Sequence, residues 1–203
     1  MKAFTKETQS ALTPASALEL LKEGNARFVK KMQVNRDLHE QVSDTSGGQF
    51  PFAAVLSCID SRVPVELVFD QGIGDIFSAR VAGNISNEDI LGSIEYACKV
   101  AGSKVVMVLG HTSCGAVTSA CKGVELGNIT ALLSKIQPAV AKVTGGSGDH
   151  SPETVQKVVE TNVLLTMDKM REDSPILAEM EQAGEIQIVG AIYSVQDGSV
   201  SYL

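Results

Sequence analysis

The chain has 203 residues, 44% hydrophobic and 20% charged, a balance that suits a packed core and excludes disorder or a fibrous repeat. A formal net charge of −7 argues against nucleic acid or an anionic membrane as partner, and no run reaches the ~18 consecutive apolar residues of a membrane span. The N-terminal lysines are followed by no apolar stretch, so no signal peptide and a cytoplasmic setting are expected; in a reducing compartment the four cysteines point to metal ligands, catalytic thiols or core residues rather than disulfides.

Thr13-Pro14 reads as a helix N-cap with proline in the first turn, and Ala17, Leu18, Leu21 and Phe28 recur at helical spacing after it. Ser46-Gly47-Gly48 marks a loop. Phe52 to Ser57 is a short continuous apolar run of the kind buried parallel strands show, and Asp75 to Arg80 is a weaker strand candidate. Ser86 to Asp89 reads as a capping box opening a helix to about Ala101, with Ile90, Ile94, Ala97 and Cys98 on its apolar side. Lys104 to Leu109 is the clearest strand, expected to end at Gly110, with a helix from about Ser113. Further helices are expected around 129–143 and 152–171, the latter entered through Ser151-Pro152 with a valine and leucine stripe from Val155 to Leu165. Glu185 to Tyr193 alternates into a strand, Asp197-Gly198 supplies a turn, and Val200 to Leu203 returns as an antiparallel edge. Strands alternating with helices predict an α/β fold, a mostly parallel central sheet flanked by helices. Residues 1–45 are expected to form an N-terminal helical arm and 46–203 the α/β core, together one domain.

Two clusters carry chemistry, and each lies just past an expected strand: Ser57-Cys58-Ile59-Asp60-Ser61-Arg62 and Gly110-His111-Thr112-Ser113-Cys114-Gly115. Ligand sites of open α/β sheets form outside the carboxyl ends of the strands, so the fold can join the two. Cys58, His111 and Cys114 make a set of two thiolates and one imidazole suited to zinc. Three protein ligands leave a tetrahedral ion one open position, the arrangement of catalytic zinc. Asp60 stands two residues from Cys58 and can orient a nucleophile at the ion. Arg62, two further on, can hold Asp60 in a bidentate pair and keep it ionised. Taken singly, Cys58 could be a buried strand-end cysteine and Asp60–Arg62 a surface ion pair. Cys98 and Cys121 fit helical apolar stripes and are expected to be core residues.

Cys58-x-Asp60-x-Arg62 followed by His111-x-x-Cys114 resembles the β-class carbonic anhydrase family. Similar blocks stand in order around it: Gly48-Gln49 with Phe-Pro-Phe after it, Asp60-Ser61-Arg62-Val63, Ala82-Gly83-Asn84, Glu95-Tyr96-Ala97 and Gly115-Ala116-Val117. The resemblance implies reversible hydration of carbon dioxide to bicarbonate and a proton, with attack by a zinc-held hydroxide. It implies that Cys58, His111 and Cys114 bind one Zn²⁺ and that Asp60 and Arg62 are the catalytic dyad. Gln49 matches a glutamine that reaches substrate across a dimer interface, and Gly115 a glycine whose backbone lines the pocket. A homodimer or dimer of dimers, with the N-terminal arm wrapped around a neighbour, is also implied. Some members bind inhibitory bicarbonate through a tryptophan shortly before the first zinc cysteine; Val55 stands in that place and the chain has no tryptophan, although Arg80 matches another member of that site. Hydrolysis of carbonyl sulfide or carbon disulfide on the same ligands is the competing enzymatic reading, and a non-catalytic zinc scaffold the competing class. A thiol redox role is weakest, since no C-x-x-C is present. His39 and His150 are expected to be solvated surface residues.

Overall fold

The structure, a computed structural model, describes residues 2–203. Its strands are β1 (Ala53–Ser57), β2 (Ile76–Arg80), β3 (Val105–His111), β4 (Gln187–Tyr193) and β5 (Val200–Tyr202). They form one sheet in the order β2-β1-β3-β4-β5, parallel except for β5, which runs antiparallel to β4 from the pair Tyr193 and Val200. This is the expected α/β architecture.

Every residue of β1 and β3 is buried, as continuous apolar strands in the middle of a two-sided sheet should be. Side chains alternate between the faces. Val106 and Val108 join a core with Val158, Val159 and Val163 of a long helix, while Val105, Met107 and Leu109 join a second core with Ala17 and Leu21. The helices behind these contacts are α1 (Lys6–Ser10), α2 (Pro14–Val29), α3 (Leu38–Thr45), α4 (Val65–Val68), α5 (Glu88–Glu95), α6 (Gly115–Cys121), α7 (Gly127–Leu133), α8 (Gln137–Thr144), α9 (Pro152–Asp173) and α10 (Pro175–Gln182). A wide π turn, Tyr96–Val100, extends α5 to the end expected for that helix.

The structure differs from expectation at several points, each with a local cause. Gly110 does not end β3. The strand runs through it to His111, and a Cβ on Gly110 would stand 2.7 Å from Val163 Cγ2, so this glycine lets α9 approach the sheet. The cap of α5 is Asn87 rather than Ser86, because the Asn87 side chain accepts the Ile90 N–H at 2.9 Å. The helix expected over 129–143 is two, with Pro138 in the first turn of the second; proline has no N–H to continue an incoming helix. Ser113 adopts a left-handed φ of 56°, so α6 begins after Cys114. Within the helical arm expected over residues 1–45, α1 and α3 had no bounds of their own, and α4 and α10 were not expected. The last was legible, since Ser174-Pro175 repeats the entry used by α9, where Ser151 accepts from Thr154 N–H.

The N-terminal helices are tied to the sheet by polar anchors as well as by Ala17 and Leu21. Asn25 donates to the carbonyls of Val68 and Gly198 and accepts from Val200 N–H. Asp70, 4% exposed, receives Arg27 at 2.6 Å, Arg36 at 2.5 Å and the Val34 N–H. Burial opposes ionisation of Asp70, yet the two guanidinium groups outweigh it and hold the carboxyl below its ordinary range. Asp70→Ala would remove the buried carboxylate that Arg27 and Arg36 share and should cost about 3 kcal/mol in equilibrium urea unfolding near neutral pH. Because the folded pKa is depressed, the stabilisation is present above the unfolded value of about 4 and fades as pH falls through the folded one. The gap between parent and variant should therefore narrow in acid, and a gap independent of pH would contradict the ionic account.

Candidate active site

Ser57 of β1 pairs with Leu109 of β3, so Cys58 and His111 leave the same end of adjacent parallel strands. Parallel order brings two distant segments to one edge, and the left-handed Ser113 turns the chain back so that Cys114 joins them. The Sγ atoms of Cys58 and Cys114 and a ring nitrogen of His111 all lie within 4.8 Å of one another. All three residues are buried, at 4%, 0% and 0% exposure.

The protonation pattern of the histidine follows from its partner. Nδ1 lies 3.0 Å from the Thr112 carbonyl, which can only accept, so Nδ1 carries the proton. Nε2 then presents a lone pair, and it is buried with no hydrogen-bond partner. A buried nitrogen of this kind needs a partner, and beside two sulfurs a soft or borderline cation is the partner that fits. The thiols agree. Two adjacent buried sulfurs without a cation cannot both ionise: the neighbouring Cys114, with His111 beside it, draws the Cys58 thiol far down, while Cys58 and burial push Cys114 up. A dication among the three would favour both thiolates. The Gly83 N–H donates to Cys58 Sγ at 3.4 Å, and backbone N–H groups of Val117 and Ala116 favour ionised Cys114.

Asp60 and Arg62 form the expected fork. Arg62 Nε donates to Asp60 Oδ1 at 2.9 Å and Nη2 to Oδ2 at 2.7 Å, while the Arg62 N–H adds a third bond at 2.9 Å. These bonds hold the Asp60 carboxyl far below the usual carboxylate range despite partial burial. Asp60 Oδ2 stands 3.9 Å from His111 Nε2, so the carboxylate faces the place an ion would occupy. Arg62 Nη2 also reaches the Ser113 carbonyl at 3.3 Å and so spans both clusters.

Other expected residues fall as follows. Gly115 opens α6, and beyond its chain neighbours and its own helix backbone no atom lies within 4 Å of where its Cβ would be, so space stands open there. Gln49 is exposed. Cys98 is buried, its thiol pushed up to about 12 by burial, and Cys121 packs half-buried against the core, both as expected of apolar residues. His39 and His150 are exposed.

One contributor had no such reading in the sequence. Arg80, matched there only to an inhibitory site, donates from Nε to the Cys58 carbonyl at 3.0 Å and from Nη2 to the Asp60 carbonyl at 2.6 Å. It clamps the loop that carries both Cys58 and the Asp60 carboxylate. Its position at the end of β2, next to β1, is what places it there, and that neighbourhood is visible only once strands are paired.

A family model described as carbonic anhydrase matches residues 53–200. Carbonic anhydrase 2 of Mycobacterium tuberculosis is 35% identical over 191 residues, covering 91% of this chain and 90% of that protein. The carbonic anhydrase of Mycolicibacterium smegmatis is 34% identical over 194 residues, with 92% of each covered. Among solved structures, the β-carbonic anhydrase CafA of Aspergillus fumigatus aligns with a TM-score of 0.72 at 27% identity, over 93% of this chain and 89% of that one.

Proposed function

The chain belongs to the β-carbonic anhydrase family, whose general activity is carbon dioxide hydration, and on that premise we propose a zinc enzyme that converts carbon dioxide reversibly to bicarbonate and a proton. The observation that carries the reading is the buried, unpartnered His111 Nε2 beside two thiol sulfurs, with an Arg62-held carboxylate 3.9 Å away.

Cys58, Cys114 and His111 would hold the ion, through two sulfurs and a ring nitrogen. Zinc there would supply the Lewis acidity that lets water ionise near neutral pH. Two thiolates offset the dication's charge and temper that acidity, which makes an orienting carboxylate valuable. Asp60, kept ionised by Arg62, accepts the proton of the attacking hydroxyl in a hydrogen bond and aims the oxygen lone pair at the substrate carbon. Gly115 leaves room for a linear triatomic beside its backbone. Gln49, exposed in its own chain, serves the site of a second copy, where its amide hydrogen-bonds the substrate. A homodimer, or a dimer of dimers, follows from that assignment. Carbon dioxide is neutral, so the net charge of −7 does not oppose its entry.

Stopped-flow hydration with a pH indicator tests the reading. The zinc-loaded protein should accelerate proton release, chelation should abolish the acceleration, and added zinc should restore it. A metal-loaded protein that leaves the rate at background would overturn the proposal. No described helix is long and apolar enough to cross a membrane.

A further inference from the structure

Asn162 is a buried polar side chain that the chemistry above does not use. It is 2% exposed, on a face of α9 otherwise built from Val155, Val158, Val159 and Val163. Packing alone would favour another aliphatic residue there, and a buried carboxamide persists where it is hydrogen-bonded. Asn162 Nδ2 donates to the Gly83 carbonyl at 2.8 Å. Gly83 in turn donates its N–H to Cys58 Sγ at 3.4 Å. A single residue thus separates the long helix from a thiol of the site, and it is bonded on both sides.

The conformation of that residue makes the link consequential. Gly83 has a φ of 72° and is followed by Asn84 at 44°, two left-handed residues in one short 3-10 turn. Glycine has no Cβ to choose its backbone angles, so its peptides take the orientation their hydrogen bonds impose. We infer that Asn162 is a positioning residue for the metal-binding thiolate: by holding the Gly83 carbonyl it fixes the Gly83 N–H on Cys58 Sγ. A backbone N–H directed at the thiolate fixes the sulfur where a bound ion meets it, so loosening that bond loosens the seat of the ion. Partners of this outer kind tune both the ion and its retention. The inference rests on the metal reading and adds a residue to it, 104 positions beyond Cys58 in the chain.

The test reads the metal rather than turnover. In cobalt-substituted protein, Asn162→Leu and Asn162→Ser should each shift the thiolate-to-cobalt charge-transfer band, and in zinc protein each should speed release to a chelator about tenfold. Val158→Ala, which loosens the same buried helix face, should leave the band and the release rate where they are. An unmoved band in a folded Asn162 variant overturns the inference, and so does an equal response to Val158→Ala. If neither Asn162 variant folds, NMR of the unaltered protein decides. Zinc uptake should move the Asn162 carboxamide resonances together with the Gly83 amide, and stationary Asn162 resonances overturn the link. An unaltered protein that takes up no cobalt is a different result, since it removes the metal reading itself.

Discussion

Cys58→Ser and His111→Ala should each lose bound zinc and catalysed hydration together, with the rate falling to background. Cys58→Ser is nearly isosteric, so the surroundings of this residue, 4% exposed, keep their shape while a thiolate becomes a hydroxyl that stays protonated at neutral pH. His111→Ala removes the unpartnered Nε2, the atom whose burial calls for a cation. Metal content by elemental analysis, measured beside stopped-flow rates, is the check. A folded variant that keeps one zinc per chain would contradict the ligand assignment, and one that keeps the rate without zinc would contradict the metal role. Neither change touches the Asp60–Arg62 fork directly, so loss of activity should track loss of metal across both variants.

Asp60→Asn should behave in the opposite way, retaining zinc while hydration slows by roughly a hundredfold, the scale of removing one positioned proton-handling group. The amide preserves the shape of the carboxylate. It removes the charge that pairs with Arg62, and its NH₂ faces a guanidinium that can only donate. The carboxyl is held far below its ordinary pKa, so it stays ionised throughout the neutral range. Any change of rate across neutral pH must then belong to another group. The Asn variant should show the same neutral limb as the parent with a lower plateau. Full activity, or loss of the neutral limb with the carboxylate, would refute the role given to Asp60.

The helical and strand pattern was legible where one signal dominated. The unbroken apolar runs of β1 and β3 require burial on both faces, and only the middle of a parallel sheet offers that. Short elements were less legible: α3 and α4, of eight and four residues, carry too few apolar positions to establish a period. Gly110 shows how a local rule misleads, because its meaning depends on Val163, which lies 53 positions away.

At the site, residue types and spacing alone selected Cys58, His111 and Cys114 and the Asp60–Arg62 pair, because few side chains can ligate a soft cation or fork onto a carboxylate. Spacing within one segment is a local property, and short-range geometry follows from it. What only the tertiary structure decided is which distant atoms meet. Parallel pairing of β1 with β3 brings the two clusters together, β2 places Arg80 on the loop from Cys58 to Asp60, and α9 delivers Asn162 to Gly83. Such contacts arise where separate elements pack, and a hydrogen bond between residues 79 positions apart leaves no period, cap or turn signal in the chain that forms it.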